Sequence, residues 1–437
     1  MDWLTIGIIG CVVLLVLIFL GVHIGFALAA VGFIGLALMR GWGGAYGLYR
    51  TMAYFNTANY GLTPMPLFVF MAGLCLAGGI SQSLYGSLGK WLSVFPAPYA
   101  VATAVASAVF GLLTGSSMVT AAMFTRLSLP EMLKRDYDRS FAAGCVAGTS
   151  ILGMLIPPNL FAILYGILAS ESVGKLFIAL VVPGLITLVG FMVYIVVAVK
   201  RNPALAPPEP EKYTLQEKVA SLKGVWPMVV VGLIMLVGIF TGIFTVTEGA
   251  SVGVFGAIIV LVAMRRFKWK DFSQAATDTV TMSCMIALIL IGVTLFSRFI
   301  AMAGVTKAFA NFLVSLNLGP KGVLFLFIIL YLILGLFLDI TGMLAVTIPI
   351  LLPLQPVFGW DPIYLGSVVI YACIVGTLTP PVGLTLFGTQ GAANAAGIDI
   401  KFNEIVKGVL PYVGVMAVVN LLIWWFPSLA IGFAKYM

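Results

Sequence analysis

A chain of 437 residues with 62% apolar and 9% charged residues and a mean hydropathy of +1.15 lies far outside the soluble globular range. Only lipid tolerates so much apolar surface, which excludes a water-soluble enzyme or binding module. The net charge of +8 fits loops enriched in Lys and Arg on the cytoplasmic side better than nucleic-acid binding, because no basic stretch is interleaved with aromatics.

Taken in chain order, apolar stretches at about 4–20, 24–39, 66–80, 140–169, 176–198, 226–244, 247–264, 276–301, 363–390 and 408–426 predict ten spans across a hydrocarbon core of roughly 30 Å. The first reads as a retained span rather than a signal peptide, since Asp2 is its only early charge and a basic n-region is lacking. Residues 97–126 and 321–350 each carry a Gly-, Ser-, Thr- or Asp-rich break near the middle. They are expected to be helical hairpins. Amphipathic stretches at 81–93 and 304–316 predict interfacial helices that carry them. Residues 200–225, with Pro203, Pro207, Pro208 and Pro210 among charges, predict a linker on the cytoplasmic side. Trp360, Trp424 and Trp425 read as interface belts. The five cysteines lie scattered in spans without C-x-x-C spacing, and read as packing residues. A single histidine, His23, leaves no histidine-based metal site or Ser-His-Asp triad; it reads as an interfacial or helix-turn residue without an assigned role.

The two halves repeat. Gly79 and Gly304 are 225 residues apart, Gly111 and Gly335 224, and the pairs Pro157-Pro158 and Pro380-Pro381 223. The expected units are 1–199, the linker 200–225, and 226–437. Charge decides their relative orientation. The loop 126–139 holds four basic residues and its partner near 351–362 none, whereas Arg265, Arg266, Lys268 and Lys270 crowd a loop whose first-half partner has only Arg40 and Arg50. With the basic loops cytoplasmic, each half has five full spans. That odd number inverts the second half and places both termini on the far side. The predicted class is therefore all-α integral membrane, an inverted repeat of about ten spans and two re-entrant hairpins. Duplicated helix breaks in such repeats mark carrier sites near the membrane midplane.

Proline removes a backbone donor and frees carbonyls one turn upstream. Unwound carbonyls and hydroxyls are hard oxygen ligands suited to Na⁺, and half-helix N-termini attract anions. The first half offers Ser107, Thr114, Ser116 and Ser117 opposite Gly153, Ile156, Pro158 and Asn159; the second offers Gly335, Asp339, Thr341 and Gly342 opposite Gly376, Thr377, Thr379 and Val382. Glycines and kinking prolines are also ordinary in membrane helix packing; recurrence in register is what favours a site. A carboxylate at Asp339 inside apolar sequence is either functional or a cap beside a water-filled vestibule. Arg298 can snorkel, pair with an acid or meet a substrate carboxylate, while Arg126 reads as a cytoplasmic anchor and Glu248 as a helix cap after Thr245. An intramembrane enzyme lacks a catalytic set, and a channel fits Pro-Pro-capped hairpins poorly.

The motifs Thr114-Gly115-Ser116-Ser117, Leu129-Pro130-Glu131-Met132, Tyr137-Asp138 before Phe141, Ile156-Pro157-Pro158, Thr245-Val246-Thr247-Glu248, Phe337-Leu338-Asp339 and Leu378-Thr379-Pro380-Pro381-Val382-Gly383-Leu384 resemble the large membrane subunit of tripartite ATP-independent periplasmic (TRAP) transporters, over nearly the whole chain. The resemblance implies an elevator-type carrier of the ion-transporter superfamily in the bacterial inner membrane, with scaffold and transport domains. It implies Na⁺ as coupling ion with no organic cofactor, a small four-helix membrane subunit, and a periplasmic binding protein delivering an organic acid such as a dicarboxylate or sialic acid. Carried over by residue, one Na⁺ site would use Ser107, Gly153, Ile156 and Pro158 and the other Gly335, Gly376, Thr379 and Val382. Substrate would meet Thr114, Ser116, Asn159 and Asp339. Thr114 and Asn159 stand where the family commonly has serine, so the resemblance implies transport and names no particular substrate. The alternative is a stand-alone organic-anion carrier or exporter of the same superfamily.

Overall fold

The computed structural model describes residues 2–114, 117–207, 213–222, 226–381 and 383–434, which contain helices and turns and no strand. The first half runs through α1 (Trp3–Phe19), α2 (Ile24–Thr57), α3 (Pro64–Ala77), α4 (Ile80–Trp91), α5 (Pro98–Thr114), α6 (Ser117–Leu127), α7 (Leu129–Leu133), α8 (Arg139–Thr149), α9 (Leu152–Leu155), α10 (Leu160–Ala169) and α11 (Val173–Arg201). A short α12 (Leu215–Ser221) follows in the linker. The second half comprises α13 (Trp226–Phe240), α14 (Val246–Ala263), α15 (Trp269–Met302), α16 (Val305–Ser315), α17 (Gly319–Leu334), α18 (Ile340–Leu351), α19 (Gln355–Phe358), α20 (Pro362–Leu378), α21 (Leu384–Ala395), α22 (Phe402–Trp425) and α23 (Ser428–Ile431).

The same local devices recur in the same order. α4 and α16 each begin after a left-handed glycine, Gly79 at φ +65° and Gly304 at φ +75°. α8 and α20 each begin at an aspartate cap, Asp138 accepting the Phe141 N–H at 2.8 Å and Asp361 the Tyr364 N–H at 2.9 Å. Both Pro157-Pro158 and Pro380-Pro381 are cis. Thr245 and Glu248 close a capping box at the start of α14.

Among the described residues, six helical segments are long and apolar enough to cross a membrane by length and composition, and up to eight if bent pairs count as one span. The ten expected stretches differ from these because α1, α3, α13 and α20 hold only 17, 14, 15 and 17 residues, the pre- and post-proline helices of the first half meet at 42°, and the six include Ile340–Phe358, expected as part of a hairpin. Two helices outrun expectation. α2 continues from about 39 to Thr57 through Gly41 at φ +76°, a bend that glycine alone makes without strain. α15 starts at Trp269, adding seven residues that include Lys270 and Asp271 before the expected stretch from 276.

Outward faces are apolar. Along α11, Leu185, Val189, Val193 and Val197 are exposed at four-residue spacing, while Phe177, Leu180, Phe191 and Ile195 are fully buried. One helix with apolar residues on both faces packs protein on one side and lipid on the other. Inside, glycines admit close helix crossings. A Cβ at Gly144 of α8 would overlap the backbone of Gly408 in α22, and one at Gly408 the Ser140 carbonyl. α1, α2 and α15 supply most of a second apolar cluster, which Ala345 of α18 joins, while Ala275, Ile286 and Leu290 of α15 belong to the main core.

The linker is strapped to α4 and to the turn before α8. Leu205 O accepts the Asp138 N–H at 2.9 Å. Trp91 Nε1 donates to Lys218 O at 3.0 Å, and the Ser87 and Ser221 hydroxyls lie 2.9 Å apart. At the opposite ends of the helices, burial and then Asp361 push the Glu171 carboxyl up, with Lys175 pulling it down.

Gly408→Leu is expected to destabilise the protein by about 1–3 kcal/mol through overpacking against α8. Gly414→Leu in the same helix, where a Cβ meets nothing within 4 Å, is expected to be silent. Thermal unfolding of the two variants in one detergent checks this; equal midpoints would rule out the α8–α22 glycine contact.

Candidate functional site

Each hairpin's first arm lies against the pre-proline helix of its own half, α5 on α8–α9 and α17 on α20. The contacts are backbone to backbone. A Cβ at Gly111 would overlap Gly153, and one at Gly335 would overlap Gly376. Gly153 also faces the Thr120 hydroxyl, and Gly376 faces the Tyr331 carbonyl. Each second arm reaches the other half: α6 packs on α21, and α18 on α10. The two pre-proline helices also touch, α9 against α20. Four broken elements thus close on one centre.

Each break ends in extended backbone, Ile156 at φ −82°, ψ 125° and Thr379 at φ −71°, ψ 126°. A residue before proline is driven out of the α region by the Cδ group. In a continuous helix the N–H groups of residues 157, 158, 380 and 381 would bond the carbonyls of Gly153, Met154, Gly376 and Thr377; prolines supply none. Asn159 Nδ2 takes up the Met154 carbonyl and the Thr379 N–H bonds Gly376 O at 3.2 Å.

The sequence-predicted residues divide. Ser107 is fully buried, its hydroxyl 3.5 Å from that of Thr149 on α8. Ser107, Gly153 and Ile156 thus belong to the first hairpin–break contact, and Gly335, Gly376 and Thr379 to the second. Pro158 closes the first break. Thr379 bonds its hydroxyl to Val375 O at 2.8 Å. Ser116 and Val382 lie outside the described residues, as does the Thr114 side chain. Asn159 departs from expectation. It is fully buried, its Oδ1 accepting the Phe161 and Ala162 N–H groups at 2.7 and 3.3 Å while Nδ2 holds Met154 O. Its amide braces the break in this conformation instead of facing a ligand.

Asp339 is a cap and is also open. Its oxygens accept the Thr341 and Gly342 N–H groups at 3.1 and 3.3 Å, and the residue is exposed. It lines a cavity of about 480 Å³ between the α17–α18 tip, the α1–α2 turn, α10 and α15. Sequence reasoning missed two partners here. Thr149 doubles the buried hydroxyl of Ser107, a pairing across helices that no local pattern signals. His23 lines the cavity and caps α2, its Nδ1 accepting the Gly25 N–H at 3.3 Å. A polar residue directly before an apolar helix was the available signal.

The oxygen donors at both breaks are carbonyls and hydroxyls, and among the described residues no group of three His, Cys, Asp or Glu forms a metal site. Neutral oxygens suit a hard cation over a transition metal.

The family model described as "Tripartite ATP-independent periplasmic transporter, DctM component" matches residues 11–429. The chain is 28% identical over 386 residues to a Pseudomonas aeruginosa C4-dicarboxylate TRAP transporter large permease protein, DctM, covering 87% of this chain and 88% of that one. It is 28% identical over 413 residues to a Vibrio cholerae sialic acid TRAP transporter large permease protein, SiaM, covering 94% of each. Among solved structures, the Alcanivorax borkumensis YdaH transporter is similar in fold, with TM-score 0.65 and 14% identity over 88% of this chain and 89% of that one.

Asn159→Ala is expected to destabilise the protein by about 1–3 kcal/mol, removing a cap and stranding the Met154 carbonyl. Asn159→Asp keeps the cap acceptor and is expected to recover part of the loss. Thermal unfolding separates them; an alanine variant as stable as the parent would show that the amide braces nothing.

Proposed function

The chain belongs to the DctM component family of tripartite ATP-independent periplasmic transporters, and on that premise we propose that it imports an organic acid into the cell, coupled to Na⁺. Its curated relatives are transporter permeases and not enzymes. At 28% identity one handles C4-dicarboxylates and another sialic acid, so family membership leaves the particular acid open. A small four-helix membrane subunit and a periplasmic binding protein complete the machinery. The bacterial inner membrane is its place, with the basic loops and linker toward the cytoplasm.

The observation that carries this reading is the doubled hairpin–break contact, Gly111 on Gly153 and Gly335 on Gly376, beside a cavity that reaches Asp339. In the proposed cycle the first ion is held by oxygens near Ser107, Gly153, Ile156 and Pro158, and the second near Gly335, Gly376, Thr379 and Val382. Na⁺ draws each hairpin onto its break, and substrate meets the ordered tips near Thr114, Ser116 and Asp339. A ligand shifts a conformation only through its differential affinity for the two states, so coupling requires a substrate site that forms poorly without Na⁺. The two inverted halves then supply an elevator, in which hairpins and broken helices slide against a scaffold that includes α1, α2 and α15.

Proteoliposomes containing the chain, its small subunit and its binding protein test the reading. Uptake of the acid carried by that binding protein is expected to need all three proteins and an inward Na⁺ gradient. Uptake indifferent to the gradient would end the coupling claim, and uptake without the binding protein would favour a stand-alone carrier. Thr379→Ala and Asp339→Asn are each expected to slow uptake about tenfold or more with insertion intact, as loss of a hydrogen bond to a charged group implies. Unchanged uptake in both would remove the site assignment.

A further inference from the structure

We propose that His23 is a substrate-binding residue, donating its Nε2–H to an acid oxygen across the cavity from Asp339, and that the substrate is an organic acid bearing a hydroxyl or amine besides its carboxylate. The inference rests on reading the Asp339 cavity as the substrate site.

The α1–α2 turn that carries His23 abuts the hairpin tip. The Phe19 and Phe337 rings meet edge to face at 5.6 Å, and a Cβ at Gly342 would overlap the Ile24 side chain. The Nδ1 atom accepts the Gly25 N–H at 3.3 Å. An imidazole that accepts at Nδ1 carries its proton at Nε2 when neutral, so the cap selects the tautomer. Among the described residues Nε2 has no hydrogen-bond partner, and His23 lines the cavity. The cap therefore leaves one N–H donor for whatever fills that space.

Asp339 supplies the opposite function. Each of its oxygens accepts one backbone N–H, and each retains capacity for another bond. Among the described residues it has no ion-pair partner. Thr341 also lines the cavity, and most of the remaining wall is apolar, including Met65, Phe161, Leu164, Met282 and Met285. No Lys or Arg lines it among the described residues. The α10 terminus beside it is already capped by Asn159. A residue with a spare donor on one element and a residue with spare acceptors on another thus line the same otherwise greasy space. A hydroxyl or ammonium satisfies Asp339 while a carboxylate or carbonyl oxygen satisfies His23. An unsubstituted dicarboxylate leaves Asp339 facing like charge.

His23 is the only histidine in the chain, so ¹⁵N-histidine labelling of the full protein in nanodiscs reports on it alone. The probes are malate and N-acetylneuraminate, which carry donor hydroxyls, with succinate as the donor-free control. At least one of the first two is expected to shift the Nε2 resonance and succinate to do so at least about tenfold more weakly. No shift with any probe, or an equal shift with succinate, overturns the proposal.

Two substitutions separate binding from capping, because Asn and Asp both cap well. His23→Asn keeps an acceptor and an N–H donor and is expected to retain affinity for the probe that shifted the signal. His23→Asp keeps the acceptor, lacks the donor, and is expected to weaken that affinity about tenfold or more, with an unchanged melting temperature. Parent-like affinity in His23→Asp overturns the inference. Should Asp339→Asn still lose affinity in that case, the site reading stands without His23; should it also bind as the parent does, the site reading itself fails.

Discussion

The architecture depends on backbone-to-backbone contact at two places where a helix is interrupted. Lipid offers no hydrogen bonds, so unwound backbone at membrane depth persists only where protein or a wet cavity surrounds it. Here the surrounding protein is a hairpin arm, and glycine on both sides is what lets it approach. Gly111 on Gly153 and Gly335 on Gly376 leave no room for a Cβ on either partner. Of the carbonyls released by the four prolines, Met154 O and Gly376 O find local donors in Asn159 Nδ2 and the Thr379 N–H; without the hairpin arms, any left unpaired in hydrocarbon would cost several kcal/mol. Fold and site are therefore one arrangement: the element that shields each break is also the element that brings its tip to the centre.

From this the pairing of the halves follows. A hairpin whose first arm lies on its own broken helix must send its second arm across the centre. It meets the post-proline helix of the other half, α6 on α21 and α18 on α10. The halves are thus tied through the site as well as through the linker. The Thr187 and Tyr371 hydroxyls, 2.6 Å apart between α11 and α20, add a buried polar tie, and Arg139 reaches Glu404 at 3.2 Å across α8 and α22. The first is dry and so electrostatically strong; the second is half-exposed and contributes at most about 1 kcal/mol.

Much of this was legible in residues that act locally. Proline pairs, left-handed glycines and aspartate caps dictate backbone geometry within a few positions, so helix breaks fall inside the stretches 97–126 and 321–350, between Pro98–Thr114 and Ser117–Leu127 and between Gly319–Leu334 and Ile340–Leu351. What needed coordinates was non-local. Spacing cannot say that Asn159 turns its amide inward onto Met154, since Asn as cap and Asn as ligand look alike in sequence. Nor can hydropathy show that α15 begins seven residues before its apolar run, because a helix end outside lipid needs no apolar residues. The position of His23 on the cavity was hidden for a third reason: that space is built by α10, α15 and the distant hairpin tip.

Locally equivalent devices do not make the halves equivalent in place. α5 is covered by α3, α4 and α11, and Val101, Ala104 and Phe110 along it are fully buried. α17 packs on α20 and α22, and its Phe325, Ile329 and Ile333 are exposed. The linker strap through Trp91 and Ser87 adds to the cover on the first side only, by fixing α12 on α4. The cavity accordingly reaches the tip of the second hairpin, where Phe337 and Asp339 border space that the α1–α2 turn only partly fills. The two halves therefore repeat their local devices in unequal surroundings, the first hairpin arm enclosed by three helices and the second left with an exposed apolar face.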